Sequence, residues 1–190
     1  GTSGQVLQTN GTGANPSWGT VSSDFVKLGD FSWSSVSETS IDGYFSSTYD
    51  TYKLFINATG NSAGNWMTAN VNVGGTKQSG QTYSVSIYAY VTSTSSGRSH
   101  NDGWNDTRAY LAKWSGDSAR PTSVELTIYN PLSTSFKKNI KTEAVEWNAT
   151  SDIHTRQGVF IYDQTSAISG LTLGTNVGST TGTATLYGIK

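Results

Sequence analysis

Apolar and polar residues alternate with a period of two through most of the chain after residue 24. The alternation is clearest over 83–92 and recurs over 53–58, 68–73 and 124–129. A strand turns successive side chains to opposite faces, so this pattern arises when one face is buried and the other meets solvent. No stretch shows the sustained i, i+3, i+4 spacing of an amphipathic helix. The sequence therefore predicts antiparallel strands with a core face and a wet face.

Breaks rich in Gly, Asn and Ser separate the alternating segments, at 60–65, 74–75, 93–106, 116–117 and 174–182. These residues supply the positive φ angles that tight turns require. About ten short strands with turns between them are typical of a two-sheet β-sandwich, and we expect a jelly-roll-like arrangement. We predict one all-β sandwich domain over 22–190, with Val85, Ile87, Leu126 and Ile128 in its core.

The first 21 residues differ from the rest of the chain. They are rich in Gly, Thr, Ser and Asn, and their only sizeable apolar side chains are Val6, Leu7 and Trp18. Such a segment has too little apolar surface to build its own core. We predict that 1–21 form a short extended segment, which is either a linker or a piece that packs against other chains.

Composition excludes several partners. Charged residues make up 13%, the formal net charge is −1, and the Lys and Arg residues are scattered. A nucleic acid backbone or an anionic membrane surface attracts clustered cations, so neither is an expected partner. No apolar run is long enough to insert into a membrane. The 12% of aromatic residues and the β-branched residues distinguish the chain from a disordered one.

Two stretches of the sequence resemble segments of bacteriophage appendage proteins. Residues 1–18 read GTSGQVLQTNGTGANPSW. They resemble the short segment G-T-x-G-Q-V-L-x-x-N-G-x-G-x-x-P-x-W that recurs in phage tail-fibre and virion proteins, often just before a C-terminal domain. Residues 41–56, IDGYFSSTYDTYKLFI, and the ending GTATLYGI at 182–189 are together similar to C-terminal β domains of marine-phage appendage proteins.

The resemblance implies a virion protein, assembled in the host cytoplasm and displayed on the particle surface. Such proteins are commonly homotrimers with the C-terminal domain facing outward. Since the chain does not begin with Met, we expect a fragment whose N-terminal remainder attaches to other virion proteins. In a trimer, Val6, Leu7 and Trp18 would be buried between chains.

The segment 93–109 is the candidate ligand site. It is long for a hairpin connection, and long connections often carry function. A Trp ring can stack on the C–H face of a sugar while polar groups bind the hydroxyls. The candidate residues are Arg98, His100, Asn101, Asp102, Trp104, Asn105 and Asp106. The alternative is that Trp104 caps the end of the sandwich and that the polar residues solvate a turn.

Tyr88 and Tyr90 fall on the polar face of the clearest strand. Tyr provides a large contact area at a small entropic cost and is enriched at interfaces. Either a neighbouring protomer or a ligand could cover these two side chains, and we expect the protomer.

Catalytic and metal-binding patterns are weak. Asn101, Asp102 and Asp106 carry oxygen atoms that Ca²⁺ accepts, but the spacing is not that of an EF-hand, and we expect no metal. Three pairs of titratable residues invite a catalytic interpretation. They are His100 with Asp102, Asp152 with His154, and Glu143 with Glu146. No G-x-S-x-G motif is present, and residues three apart on a strand point to opposite faces. We therefore predict solvated positions for these groups, no enzyme activity and no cofactor.

These features together predict a tail-fibre, spike or head-fibre domain that mediates adhesion to a glycan or envelope protein of the host surface. Two alternatives stay open. One is a purely structural domain that decorates a capsid or forms part of a fibre shaft. The other is an accessory carbohydrate-binding module of a polysaccharide-degrading enzyme, whose catalytic domain would precede residue 1.

Overall fold

The computed structural model describes all residues except 21–22, 81, 92–97, 100–102 and 148–152, and gives no side chains for 82–91, 98–99 and 103–106. The described residues form strands and no helix. The strands are β1 (Gln5–Gln8), β2 (Ser17–Thr20), β3 (Phe25–Val36), β4 (Glu38–Asp42), β5 (Thr51–Gly60), β6 (Trp66–Val73), β7 (Thr76–Lys77), β8 (Thr82–Val91), β9 (Arg98–Ser99), β10 (Gly103–Asp106), β11 (Ala109–Lys113), β12 (Thr122–Tyr129), β13 (Lys138–Trp147), β14 (Ile153–Tyr162), β15 (Gly170–Thr175) and β16 (Thr180–Ile189).

Two antiparallel sheets make up the body of the protein. The large, nine-stranded sheet has the order β10-β8-β14-β13-β12-β5-β16-β3, with β9 beside β8. The small, five-stranded sheet has the order β11-β6-β15-β4, with β7 beside β6. The chain crosses repeatedly between the two sheets, which form the two layers of a sandwich. The predicted all-β sandwich is confirmed, and the jelly-roll arrangement stays a prediction.

The core lies between the inner faces of the two sheets. Leu126 and Ile128 of β12 are fully buried, as predicted, beside Leu54 of β5. The small sheet contributes Val71 and Leu173 among others. Each large aliphatic side chain buried in this way contributes about 1.5–3 kcal/mol. The side chains of Val85 and Ile87, also predicted for the core, lie outside the described residues.

The N-terminal segment contains a hairpin of the two extended strands β1 and β2. Gly11 and Gly13, with φ of 94° and 83°, supply the left-handed conformations of the turn. Asn10 braces it by donating from Nδ2 to the carbonyl oxygen of Asn15 at 2.6 Å. The strands remain extended, but two strands alone cannot enclose a core.

The apolar side chains of this hairpin are exposed. The exposed fractions are 42% for Val6, 60% for Leu7 and 54% for Trp18. Leu7 and Trp18 are directly paired in the register and therefore lie on the same face of the hairpin. The segment thus presents an apolar pair that it does not bury itself, in agreement with its low apolar content.

Candidate functional site

The segment predicted as a ligand loop is partly strand. β9 pairs with the end of β8, and β10 pairs with its beginning, so both run along the edge of the large sheet. The backbone of these strands carries four of the candidate residues, Arg98, Trp104, Asn105 and Asp106. His100, Asn101 and Asp102 lie outside the described residues, and so do the side chains of Arg98, Trp104, Asn105 and Asp106. The ligand site proposed there stays a prediction.

Tyr88 and Tyr90 lie on β8 and pair with Gln157 and Thr155 of β14. The pairing register shifts between Gln157 and Val159 of β14. A bulge of this kind interrupts simple alternation and was not visible in the sequence. The side chains of both tyrosines lie outside the described residues, so their place at an oligomer interface also stays a prediction.

The outer face of the large sheet, turned away from the small sheet, forms an open groove of about 590 Å³. This outer groove crosses five adjacent strands, β14, β13, β12, β5 and β16. Its side chains are the wet half of the alternation that buries Leu54, Val124 and Ala144 on the other face. They are Phe55, Asn57, Ser123, Glu125, Glu143, Val145, Thr155, Gln157, Thr183 and Thr185.

The strand register arranges these side chains in two parallel rows across the sheet. The Asn57 row consists of Thr183, Asn57, Ser123, Val145 and Thr155. The Phe55 row consists of Thr185, Phe55, Glu125, Glu143 and Gln157. Directly paired residues share a face of the sheet. Because neighbouring strands lie about 4.8 Å apart, each row spans roughly 19 Å. The outer groove is long enough for an elongated ligand.

Carboxylates and lysines in and beside the outer groove neutralise one another. Glu125 and Glu143 are directly opposite in the register, which would destabilise the sheet if both charges were uncompensated. Lys53 forms an ion pair with Glu125, and Nζ of Lys141 lies 2.6 Å from Oε1 of Glu143. Lys53 lies two residues before Phe55 on β5, and Lys141 lies two residues before Glu143 on β13, so both lysines share the outer face. The outer groove therefore has many polar groups and little net charge.

Lys141 sets the charge state of Glu143. The hydrogen bond from Lys141 lowers the pKa of the Glu143 carboxyl below its ordinary value. A general acid in a glycosidase needs the opposite shift, which keeps the proton on the carboxyl at neutral pH. An ionised carboxylate such as that of Glu143 can only accept hydrogen bonds.

An aromatic cluster lies at the β16 end of the outer groove. The ring of Phe55 meets Tyr187 edge-on, with centroids 5.8 Å apart and planes at 81°. Phe25 stacks on Tyr187 at 4.5 Å, and its ring centroid lies 6.4 Å from that of Phe55. These contacts fix the ring of Phe55 while 39% of the residue stays exposed. Phe55 therefore presents an oriented aromatic surface to the groove.

A buried ionic cluster lies on the inner face, beneath the β14 side of the groove. Oε1 of Glu146 lies 2.6 Å from Nη2 of Arg156, and the backbone N–H of Lys113 donates to Oε2. The guanidinium of Arg156 lies over the ring of Trp66, 4.7 Å from its centroid. Nδ1 of His154 is 3.4 Å from Oε1 of Glu146. Since Lys113 and Trp66 belong to the small sheet, the cluster links the two sheets.

The cluster corrects one prediction and confirms another. Glu143 and Glu146 do point to opposite faces of β13, as their spacing indicated. We predicted solvated positions for Glu146 and His154, but Glu146 is fully buried and the side chain of His154 is only 12% exposed. Glu146 lies two residues after the buried Ala144, so its side chain points to the same inner face of β13. Arg156 neutralises the charge of Glu146 there. Asp152, also expected at a solvated position, lies outside the described residues.

The described residues contain no group of three or more His, Cys, Asp or Glu side chains that could hold a metal ion. Nor does that part of the chain include a helix long and apolar enough to span a bilayer. In comparisons with protein-family models, with curated proteins and with solved structures, nothing matches the chain.

Proposed function

We propose that this chain is the binding domain of a phage fibre or spike, and that it attaches the virion to the host surface through the outer groove. The N-terminal motif supports the virion assignment by resemblance. The observation that carries the binding function is the groove of about 590 Å³ with its polar rows and its oriented Phe55. A domain that only decorates a capsid or extends a shaft has no need for such a surface.

The chemistry of the outer groove suits a ligand better than a neighbouring protomer. The centre of an interface between protomers is apolar and depleted of charged side chains. Here the centre carries Glu125 and Glu143 with their lysine partners. Small-molecule and glycan sites instead combine a few apolar surfaces, such as Phe55 and Val145, with several hydrogen-bonding groups.

Blocking the outer groove is expected to abolish adhesion. Ser123 lies at the middle of the Asn57 row, so Ser123→Trp fills the groove from an exposed position and leaves the core intact. We expect adsorption of the Ser123→Trp domain to host cells to fall to background, as measured with fluorescently labelled protein. Ser135→Trp, at an exposed loop position away from the groove, should adsorb like the wild type.

Three results would contradict this proposal in different ways. Equal adsorption by Ser123→Trp and wild type would exclude the outer groove as the site. If Trp104→Ala alone reduced adsorption, the site would be the segment 93–109. If the wild-type domain failed to adsorb, the structural alternative of capsid decoration or fibre shaft would be favoured.

We also propose that the domain is a homotrimer, held in part by the N-terminal hairpin. The exposed pair of Leu7 and Trp18 would be desolvated between protomers, and each of the three chains contributes one such pair. A trimer would also present three outer grooves at once, which raises the avidity for a repetitive surface ligand.

Removing the apolar pair is expected to dissociate the trimer. The double variant Leu7→Ser with Trp18→Ser loses the surface that would be buried between chains, whereas the sandwich core is untouched. We expect light scattering to give a trimer for the wild type at micromolar concentration and a monomer for this variant. Val177→Ser, which changes an exposed apolar residue of the body, should remain trimeric. A monomeric wild type would overturn the proposal.

A further inference from the structure

We propose that the ligand of the outer groove is an uncharged polysaccharide that lies across the strands, with one sugar ring stacked on Phe55. This inference rests on the proposed function, since it specifies what the adhesion site binds. It follows from the charge balance of the site, from its free hydrogen-bonding groups and from the direction of its rows.

The charge balance excludes an acidic glycan as the natural ligand. A carboxylate, sulfate or phosphate group requires a cation that is not already paired. Lys53 and Lys141, the lysines beside the described groove, are each bound to a groove carboxylate. Arg156 also lines the outer groove, but its guanidinium is buried on the inner face of the sheet against Glu146. An anionic sugar would therefore find no unpaired lysine or arginine side chain among the described residues of the groove.

The hydrogen-bonding groups match the hydroxyls of a neutral sugar. Within the described part of the chain, the side chains of Asn57, Ser123 and Gln157 make no hydrogen bond to the protein. Amide and hydroxyl groups both donate and accept, and carboxylates accept only. A sugar hydroxyl, which also donates and accepts, can satisfy each of them. Apolar ligands and lipid chains would leave these groups without partners.

The Phe55 row gives the direction of the ligand. Along it, the aromatic surface of Phe55 is followed on successive strands by Glu125, Glu143 and Gln157. A sugar ring stacked on Phe55 therefore places the next sugars of a linear chain over acceptors for their hydroxyls. The parallel Asn57 row lies about 7 Å away along the strands. It would line the other side of the bound polysaccharide.

The test uses the host's own surface polysaccharide, divided by anion exchange into a neutral and an acidic fraction. We expect the wild-type domain to bind the neutral fraction in affinity electrophoresis and to ignore the acidic one. Phe55→Ala should weaken binding roughly tenfold through loss of the stacking surface, and Phe55→Tyr should restore it. Phe136→Ala, which removes an exposed Phe from a loop outside the groove, should bind like the wild type.

A specificity switch makes the test sharper. The double variant Glu125→Gln with Glu143→Gln keeps the shape and most acceptors of the site but releases Lys53 and Lys141 from their carboxylates. It should gain measurable binding to the acidic fraction. The inference is overturned if the wild type binds only the acidic fraction, or if it adsorbs to cells through Ser123-sensitive contacts yet binds neither fraction. If the wild-type domain does not adsorb to host cells at all, the proposed function is overturned instead.

Discussion

Replacing Glu146 by Ala is expected to destabilise the protein by about 3–5 kcal/mol, because it leaves the charge of Arg156 buried without its partner. The carboxylate also accepts from the backbone N–H of Lys113, which would lose its acceptor. Nε and Nη1 of Arg156 have no hydrogen-bond acceptor within the described residues, so only Nη2 contacts the carboxylate. The free energy of unfolding from urea denaturation measures the effect.

Two further variants separate the ion pair from simple loss of side-chain volume. Glu143→Ala removes a carboxylate from the opposite, exposed face of the same strand, and should cost less than about 1 kcal/mol. Glu146→Met combined with Arg156→Met replaces both charges by apolar groups and should recover most of the stability lost in Glu146→Ala. A cost below about 1 kcal/mol for Glu146→Ala would show that Arg156 finds another partner, or water.

The fold was predictable because alternation along a strand is a local consequence of burial on one side. On β12, Val124, Leu126 and Ile128 are buried, as predicted, while Glu125 and Tyr129 remain at least partly exposed. Turn-forming glycines and asparagines marked the ends of such strands. No partner strand needs to be known for these deductions.

Features that depend on pairing partners were not predictable. β9 and β10 lie in a stretch of polar sequence that reads as a loop, and they are strands because β8 offers an open edge. Lys138 reads as a surface cation next to Lys137, yet it is buried at the start of β13. Its ammonium donates to the carbonyl oxygens of Ser133 and Phe136, both at 2.7 Å. Burial lowers the pKa of Lys138.

The outer groove was missed for a related reason. Its members lie far apart in the sequence, and only the register brings Phe55, Glu125 and Glu143 side by side. A local signal was nevertheless present. Phe55 and Val145 are large apolar residues at wet-face positions of otherwise well-alternating strands, and they remain 39% and 47% exposed. Apolar residues on the wrong face of a strand are therefore worth examining as ligand contacts.

Trp114→Ala is the second substitution with a large expected effect, about 3–5 kcal/mol of destabilisation. Trp114 follows β11, is buried between the sheets and donates from Nε1 to Oγ1 of Thr175 at 3.1 Å. Its ring lies directly on the backbone of Gly60, where a Cβ atom would be only 2.4 Å from Cγ of the ring. Removing the ring leaves a cavity that the flanking strands cannot close. Thermal and urea denaturation both report the loss.

The contact with Gly60 makes this prediction testable beyond a loss of stability. Gly60→Ala alone should cost about 1–3 kcal/mol, because the added methyl group overlaps the ring. In the Trp114→Ala background the same methyl group enters the cavity, so Gly60→Ala should cost much less or even stabilise. The double variant should therefore be more stable than the sum of the two single effects requires, by at least about 1 kcal/mol. Additive effects in this cycle would mean that the ring does not rest on Gly60, and that the packing between β5 and Trp114 differs from the one described.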